Sequence, residues 1–145
     1  MDELVVGGPA LGADVGADAW AIAAVKAQYF RFIDLKDWDG FRSIFTDDAA
    51  FDHPTIGTYD DIDVAVKAVS AAIGDMWTFH EGSIPEITLL GPDRATGIFA
   101  MSSHSRPAGF EGFARTFGHY HDEFRCVGGV WKLSSMRLVS TFRDR

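Results

Sequence analysis

From about Met76 onward the hydrophobic period of this chain changes to that of strands, and that switch decides what architecture it can adopt. Before it, apolar residues recur at helical spacing. After it they alternate as in strands, between turns at Gly91-Pro92-Asp93, Pro107-Ala108-Gly109 and Gly128-Gly129. Three helices first and hairpin-linked strands afterwards predict an α+β domain, with a curved antiparallel sheet packed on the N-terminal helices.

The first helix is expected from about 19 to 36, capped by Asp18, with Ile22, Val25, Tyr29, Phe32 and Ile33 in one stripe and Ala23, Ala27 and Phe30 along another side. A helix apolar almost all round is buried almost all round, so Asp34 near its end stands out as an acid. Asp37-Trp38-Asp39-Gly40 turns the chain into a short helix over 41–45, closed by Thr46-Asp47-Asp48. A first strand over 49–53 stops at Pro54. The third helix, 62–73, carries Ile62, Val66, Val69 and Ile73 and ends at Gly74, while Asp60, Asp61 and Asp63 favour the dipole at its start. Four strands follow, at about 77–90, 94–105, 115–127 and 130–142, with His80 inside the first.

A chain of 145 residues suits one domain, read as 18–145 behind a loose N-terminal arm over 1–17. The formal net charge of −8, with no basic run, argues against nucleic acid and anionic membrane surfaces as partners. No apolar stretch approaches the roughly 20 residues that cross a bilayer. The single cysteine, Cys126, excludes an internal disulfide and a cysteine-rich metal site. No positively charged start precedes an apolar core, so a secretory signal is not expected and a cytoplasmic location is. No Gly-rich strand-to-helix fingerprint for a nucleotide is present, and no cofactor is expected. A sheet wrapped over helices leaves a pocket between the layers, and 12 Phe and 4 Trp are available to line it.

Phe41 to Phe51 (FRSIFTDDAAF), Thr78-Phe79-His80, Pro92 to Gly97, Gly118 to Phe124 (GHYHDEF) and Gly129 to Leu133 (GVWKL) resemble the SnoaL-like branch of the nuclear transport factor 2-like superfamily, over about residues 18–142. Scytalone dehydratase, bile-acid 7α-dehydratase and hexachlorocyclohexane dehydrochlorinase are its members of most similar pattern. The resemblance implies a cone-shaped α+β fold that encloses an apolar cavity. It also implies a His–Asp dyad, with the histidine on the strand after the third helix and the aspartate at the end of the first, which here are His80 and Asp34. Tyr29 matches a tyrosine of such dehydratases. An acid that the bile-acid enzyme carries on its next strand is replaced by Ser103, and the dehydrochlorinase's final-strand arginine falls on Met136, with Arg137 adjacent. Transport factors, cyclases and subunits without an active site share the superfamily fold, so only the Tyr29, Asp34 and His80 combination speaks to chemistry.

A neutral imidazole can take a proton from carbon beside a carbonyl, and a carboxylate on its other nitrogen fixes the tautomer and stabilises the imidazolium. His80 and Asp34 suit those roles, and a purely structural Asp–His pair would use the same residues. Tyr29 could donate to a leaving hydroxyl or an enolate oxygen, or be a core tyrosine. Phe51, Met101, Ser103, Tyr120 and Met136 are assigned to the cavity lining and His53 to its mouth; ordinary core, and for His53 a strand end beside Pro54, are the alternatives. His119 and His121 share one strand face and could join His104 around a metal, but Tyr120 pointing inward would put both outside, and no metal is expected.

These readings converge on a cofactor-independent lyase of dehydratase type, or an isomerase, acting on a small apolar, polycyclic or aromatic molecule. The alternative is a non-catalytic ligand-binding or structural module, such as the small subunit of a ring-hydroxylating oxygenase. Apolar positions on the outer sheet around 113–124 point to a homo-oligomer, and the resemblance to those dehydratases implies a trimer before a dimer.

Overall fold

In the computed structural model, which describes residues 15–144, the helical half of the chain forms α1 (Val15–Leu35), α2 (Trp38–Ser43) and α3 (Ile62–Ile73). The expected arm over 1–17 lies outside the described residues except for 15–17, which are already helical. Asp18 therefore sits inside the first turn of α1 rather than capping it, and accepts a hydrogen bond from Trp131 Nε1 at 3.1 Å. The helix is also less enclosed than its composition suggested. Ile22, Val25, Tyr29 and Ile33 are buried in one stripe, whereas Ala27 is exposed and Trp20 is 79% exposed. Asp37 caps α2 by accepting from Gly40 N at 2.9 Å, and Asp61 caps α3 by accepting from Asp63 N and Val64 N.

The strand half is a seven-stranded curved sheet: β1 (Phe45–His53), β2 (Gly57–Tyr59), β3 (Trp77–Gly82), β4 (Glu86–Leu89), β5 (Arg94–Arg106), β6 (Ala114–Val127) and β7 (Val130–Asp144). Its order is β2-β1-β7-β6-β5-β3, with β4 also on β5. Every pairing is antiparallel except β1 with β7, which run parallel, so the sheet is mixed. The run expected as one strand over 77–90 is two, interrupted near Pro85, which has no N–H for a ladder. Thr46-Asp47-Asp48 belongs to β1 and does not close a helix.

Strong curvature comes from register breaks in β6–β7 pairing at Phe117/Gly118 and Glu123/Phe124. At the first of these the strands approach so closely that a Cβ on Gly118 would lie 2.3 Å from the Val139 carbonyl oxygen. Curling lets the inner faces of β5, β6 and β7 converge on α1 and α3. Phe99, Met101, Tyr120, Phe124, Leu133 and Leu138 share the resulting core with Ile22, Tyr29 and Val69. At one end this core does not close, and the opening is the cavity.

Candidate active site

The end of α1 delivers Asp34. The helix terminates with Lys36 in a left-handed conformation (φ 59°), Asp37 N donating to Phe32 O at 2.9 Å and Lys36 N to Ile33 O at 3.2 Å. A non-glycine residue there costs about 1 kcal/mol. Lys36 Nζ donates to Thr78 Oγ1 at 2.7 Å, and Thr78 Oγ1 donates to Asp34 Oδ1 at 3.0 Å.

β3 delivers the partner. Its alternation puts Thr78 and His80 on the inner side and Trp77 and Phe79 on the outer. Asp34 Oδ1 lies 2.7 Å from His80 Nδ1, and Asp34 Oδ2 accepts from the His80 backbone N–H at 2.8 Å. A carboxylate oxygen accepts, so Nδ1 carries the ring proton and Nε2 is the nitrogen left bare. The pair is mostly enclosed, with side chains 13% and 16% exposed for His80 and Asp34.

Beside His80 opens a cavity of about 450 Å³. Tyr29, Phe51, His53, Met101, Ser103 and Tyr120 line it together with His80, and Asp34 stands behind His80 without forming part of the wall. Ser103 is the cross-strand neighbour of His80. Met136 does not line it. It sits opposite Asp122, one inward-facing pair along from Leu138 and Tyr120, and is fully buried. Ile33, Thr116, Leu138, His104 and Arg143 complete walls that the sequence reading did not include; Leu138 and Thr116 were readable as inward positions by period two, whereas Arg143 comes from a strand longer than expected.

The filling below the cavity is ionic. Lys26 Nζ lies 2.8 Å from Asp122 Oδ2, with side chains 1% and 0% exposed. The approach is misaligned for a hydrogen bond, and the ammonium instead rests on the rings of Tyr120 and Tyr29, at 3.4 and 4.0 Å from their centroids. Burial lowers the Lys26 pKa to about 8 and raises that of Asp122, in each case against the attraction of the other. Tyr29 is held well above the usual phenol range by burial and by Tyr120 and Asp122, so its hydroxyl stays protonated. Tyr120 is raised as well, chiefly by burial.

His104, His119 and His121 do not converge. His104 stands opposite Arg115 and His119 opposite Ala100, and among the described residues no three His, Cys, Asp or Glu side chains form a group that could hold a metal. No described helix is long and apolar enough to cross a membrane.

A family model described as "SnoaL-like domain" matches residues 16–137. Probable cyclase FGR4 of Gibberella zeae is 29% identical, over 78% of this chain and 84% of its own length. Among solved structures, a type 2 hexachlorocyclohexane dehydrochlorinase (LinA) superposes with a TM-score of 0.81 at 22% identity, covering 88% of each chain. A candidate scytalone dehydratase from Novosphingobium aromaticivorans gives 0.82 at 19% identity, covering 88% of this chain and 87% of its own. At these identities the structural matches speak to the fold.

Proposed function

Because the chain belongs to the SnoaL-like domain family, we propose that it is a cofactor-independent lyase or isomerase for a small, largely apolar molecule, with His80 as its base. The observation that carries this is the 2.7 Å contact between Asp34 Oδ1 and His80 Nδ1 at the wall of an open cavity. That contact leaves Nε2 to take a proton from a carbon acid, while Asp34 holds the ring and stabilises the imidazolium. Elimination of water is the specific reaction proposed. The C–H proton passes to Nε2, its electron pair becomes the new double bond, and the C–O bond breaks. The departing hydroxyl leaves as water after taking the proton back from His80. Tyr29, kept protonated by burial, is assigned the hydrogen bond to that hydroxyl. The relatives described as a cyclase, a dehydrochlorinase and a candidate dehydratase support a lyase or isomerase reading.

The reading is tested by deuterium uptake into 2-tetralone in heavy water, followed by NMR, which detects proton removal whatever bond follows. His80→Ala and Asp34→Asn are each expected to lower the rate by about 100-fold or more with the circular dichroism spectrum unchanged. Wild-type rates in both variants, or no exchange by the wild type across a panel of hydroxylated polycyclic ketones, would remove the dyad from the chemistry.

A second reading has one observation in its favour. Asp34 Oδ2 accepts from the backbone N–H of His80, a contact that ties α1 to β3 with or without chemistry. In that case the cavity binds a ligand and does not turn it over. Under either reading the chain is proposed to work in the cytoplasm as a homo-oligomer, a trimer before a dimer, through the outer face of its sheet.

A further inference from the structure

The cavity holds a second histidine in the opposite tautomer to His80. His53 ends β1, and the chain that turns back towards β2 directs the backbone N–H groups of Thr55 and Ile56 at its Nδ1, at 3.2 and 3.3 Å. Backbone N–H groups only donate, so Nδ1 must be the bare nitrogen and the proton must sit on Nε2. The Thr55 hydroxyl, 3.2 Å from the same Nδ1, is then a third donor. The ring is held nearly parallel to Phe51, at 12° and 6.3 Å. Both rings line the cavity with His80. Burial, followed by the nearby His80 and Arg143, brings the His53 pKa down to about 4 against the weaker pull of Asp52. His53 therefore stays neutral, and keeps its Nε2–H, throughout the neutral range.

We propose that His53 Nε2–H is a fixed hydrogen-bond donor to a substrate oxygen, so that the cavity selects carbonyl compounds with the oxygen towards His53 and an acidic C–H towards His80. The second half of this placement rests on the proposed role of His80; the first half does not. As the C–H proton passes to His80 Nε2, the C–H pair becomes the C=C of an enolate and the carbonyl π pair moves onto oxygen. His53 hydrogen-bonds that oxygen without giving up its own proton. A neutral donor suits this task, because the hydrogen bond strengthens as charge grows and the donor adds no positive charge beside the base.

Two measurements on the full chain test the proposal. In histidine-15N-labelled protein, NMR between pH 5.5 and 8 is expected to show His53 protonated at Nε2 and bare at Nδ1. In fluorescence titrations, the wild type is expected to bind 2-acetonaphthone, whose carbonyl oxygen only accepts, about tenfold or more tightly than 2-isopropylnaphthalene, its hydrocarbon match in shape, as one buried hydrogen bond allows. His53→Phe, which retains a flat ring against Phe51, is expected to lose that preference while its 2-isopropylnaphthalene affinity stays the same. A proton on Nδ1, a wild type indifferent to the carbonyl, or a preference that survives in His53→Phe would each overturn it. Neither measurement involves turnover, so an inert dyad would show in the deuterium-exchange assay and leave these results intact.

Discussion

His53 is free base when folded, with a pKa of about 4, and returns to an ordinary 6.5 when the chain unfolds. Between those values the unfolded chain holds the extra proton, so stability rises with pH through that window and is fully present above pH 6.5. Allowing for the partial exposure of the ring, the wild type should lose about 2 kcal/mol relative to His53→Phe between pH 6.5 and 4. Urea unfolding at the two pH values measures this, and equal losses in both proteins would contradict it. At this scale the sequence was legible where a residue clashed with its surroundings. Asp34 stood out because an acid among Phe30, Phe32 and Ile33 needs a partner, and the resemblance to the SnoaL-like branch named His80 as that partner. Thr78 and Lys36 were not legible as part of the same network. Their contacts depend on the left-handed turn at Lys36, which no glycine announced.

At the scale of elements, α1 and β6 are joined through an ion pair in the middle of an apolar core. Lys26 follows Ile22 by four residues and precedes Tyr29 by three, inside the buried stripe, and Asp122 follows Tyr120 by two on the same strand face. Two opposite charges on converging inner faces were thus readable as a pair, given the pairing of the layers that only the fold supplies. Lys26→Met leaves Asp122 buried and alone, and is expected to cost about 3–5 kcal/mol in chemical unfolding; the Lys26→Met/Asp122→Leu double variant should recover most of it. The pH dependence separates this from simple packing. Lys26 has a folded pKa of about 8, below 10.5 in the unfolded chain, so the unfolded state holds the proton between them and wild-type stability should rise with pH across that window. Asp122 is shifted upward, so its contribution falls as pH rises above 3.8. The double variant should show neither slope. Strand boundaries were less legible than this pair. The parallel pairing of β1 with β7 joins segments about 90 residues apart, and no local period encodes such a closure.

At the scale of the whole molecule, the inner face of the sheet is committed to α1, α3 and the cavity, while among the described residues no layer covers the outer face. Trp77, Phe79, Phe117 and Val139 face outward by strand alternation, and the register break at Phe117/Gly118 turns Phe142, the partner of Phe117, to the same side; Phe79, Trp77 and Phe142 are 47%, 53% and 59% exposed. Trp77 lies against Phe113 at 5.5 Å and Phe117 against Phe142 at 6.1 Å, so this face carries two exposed aromatic pairs. Among the described strands β3 also ends the order and leaves one edge without a partner strand. A second copy of the same face has matching apolar character, which is why self-association is the expected way to cover it. The protein should sediment as an assembly at micromolar concentration, and its unfolding temperature should rise with protein concentration, as binding that occurs only in the folded state requires. Phe79→Lys combined with Val139→Lys places charge in the middle of the patch and should yield monomers with a concentration-independent transition. Both side chains point away from His80 and the cavity, so those monomers should retain the wild-type preference for 2-acetonaphthone over 2-isopropylnaphthalene. Loss of that preference on dissociation would mean that the cavity depends on the assembled sheet and is not complete within one chain.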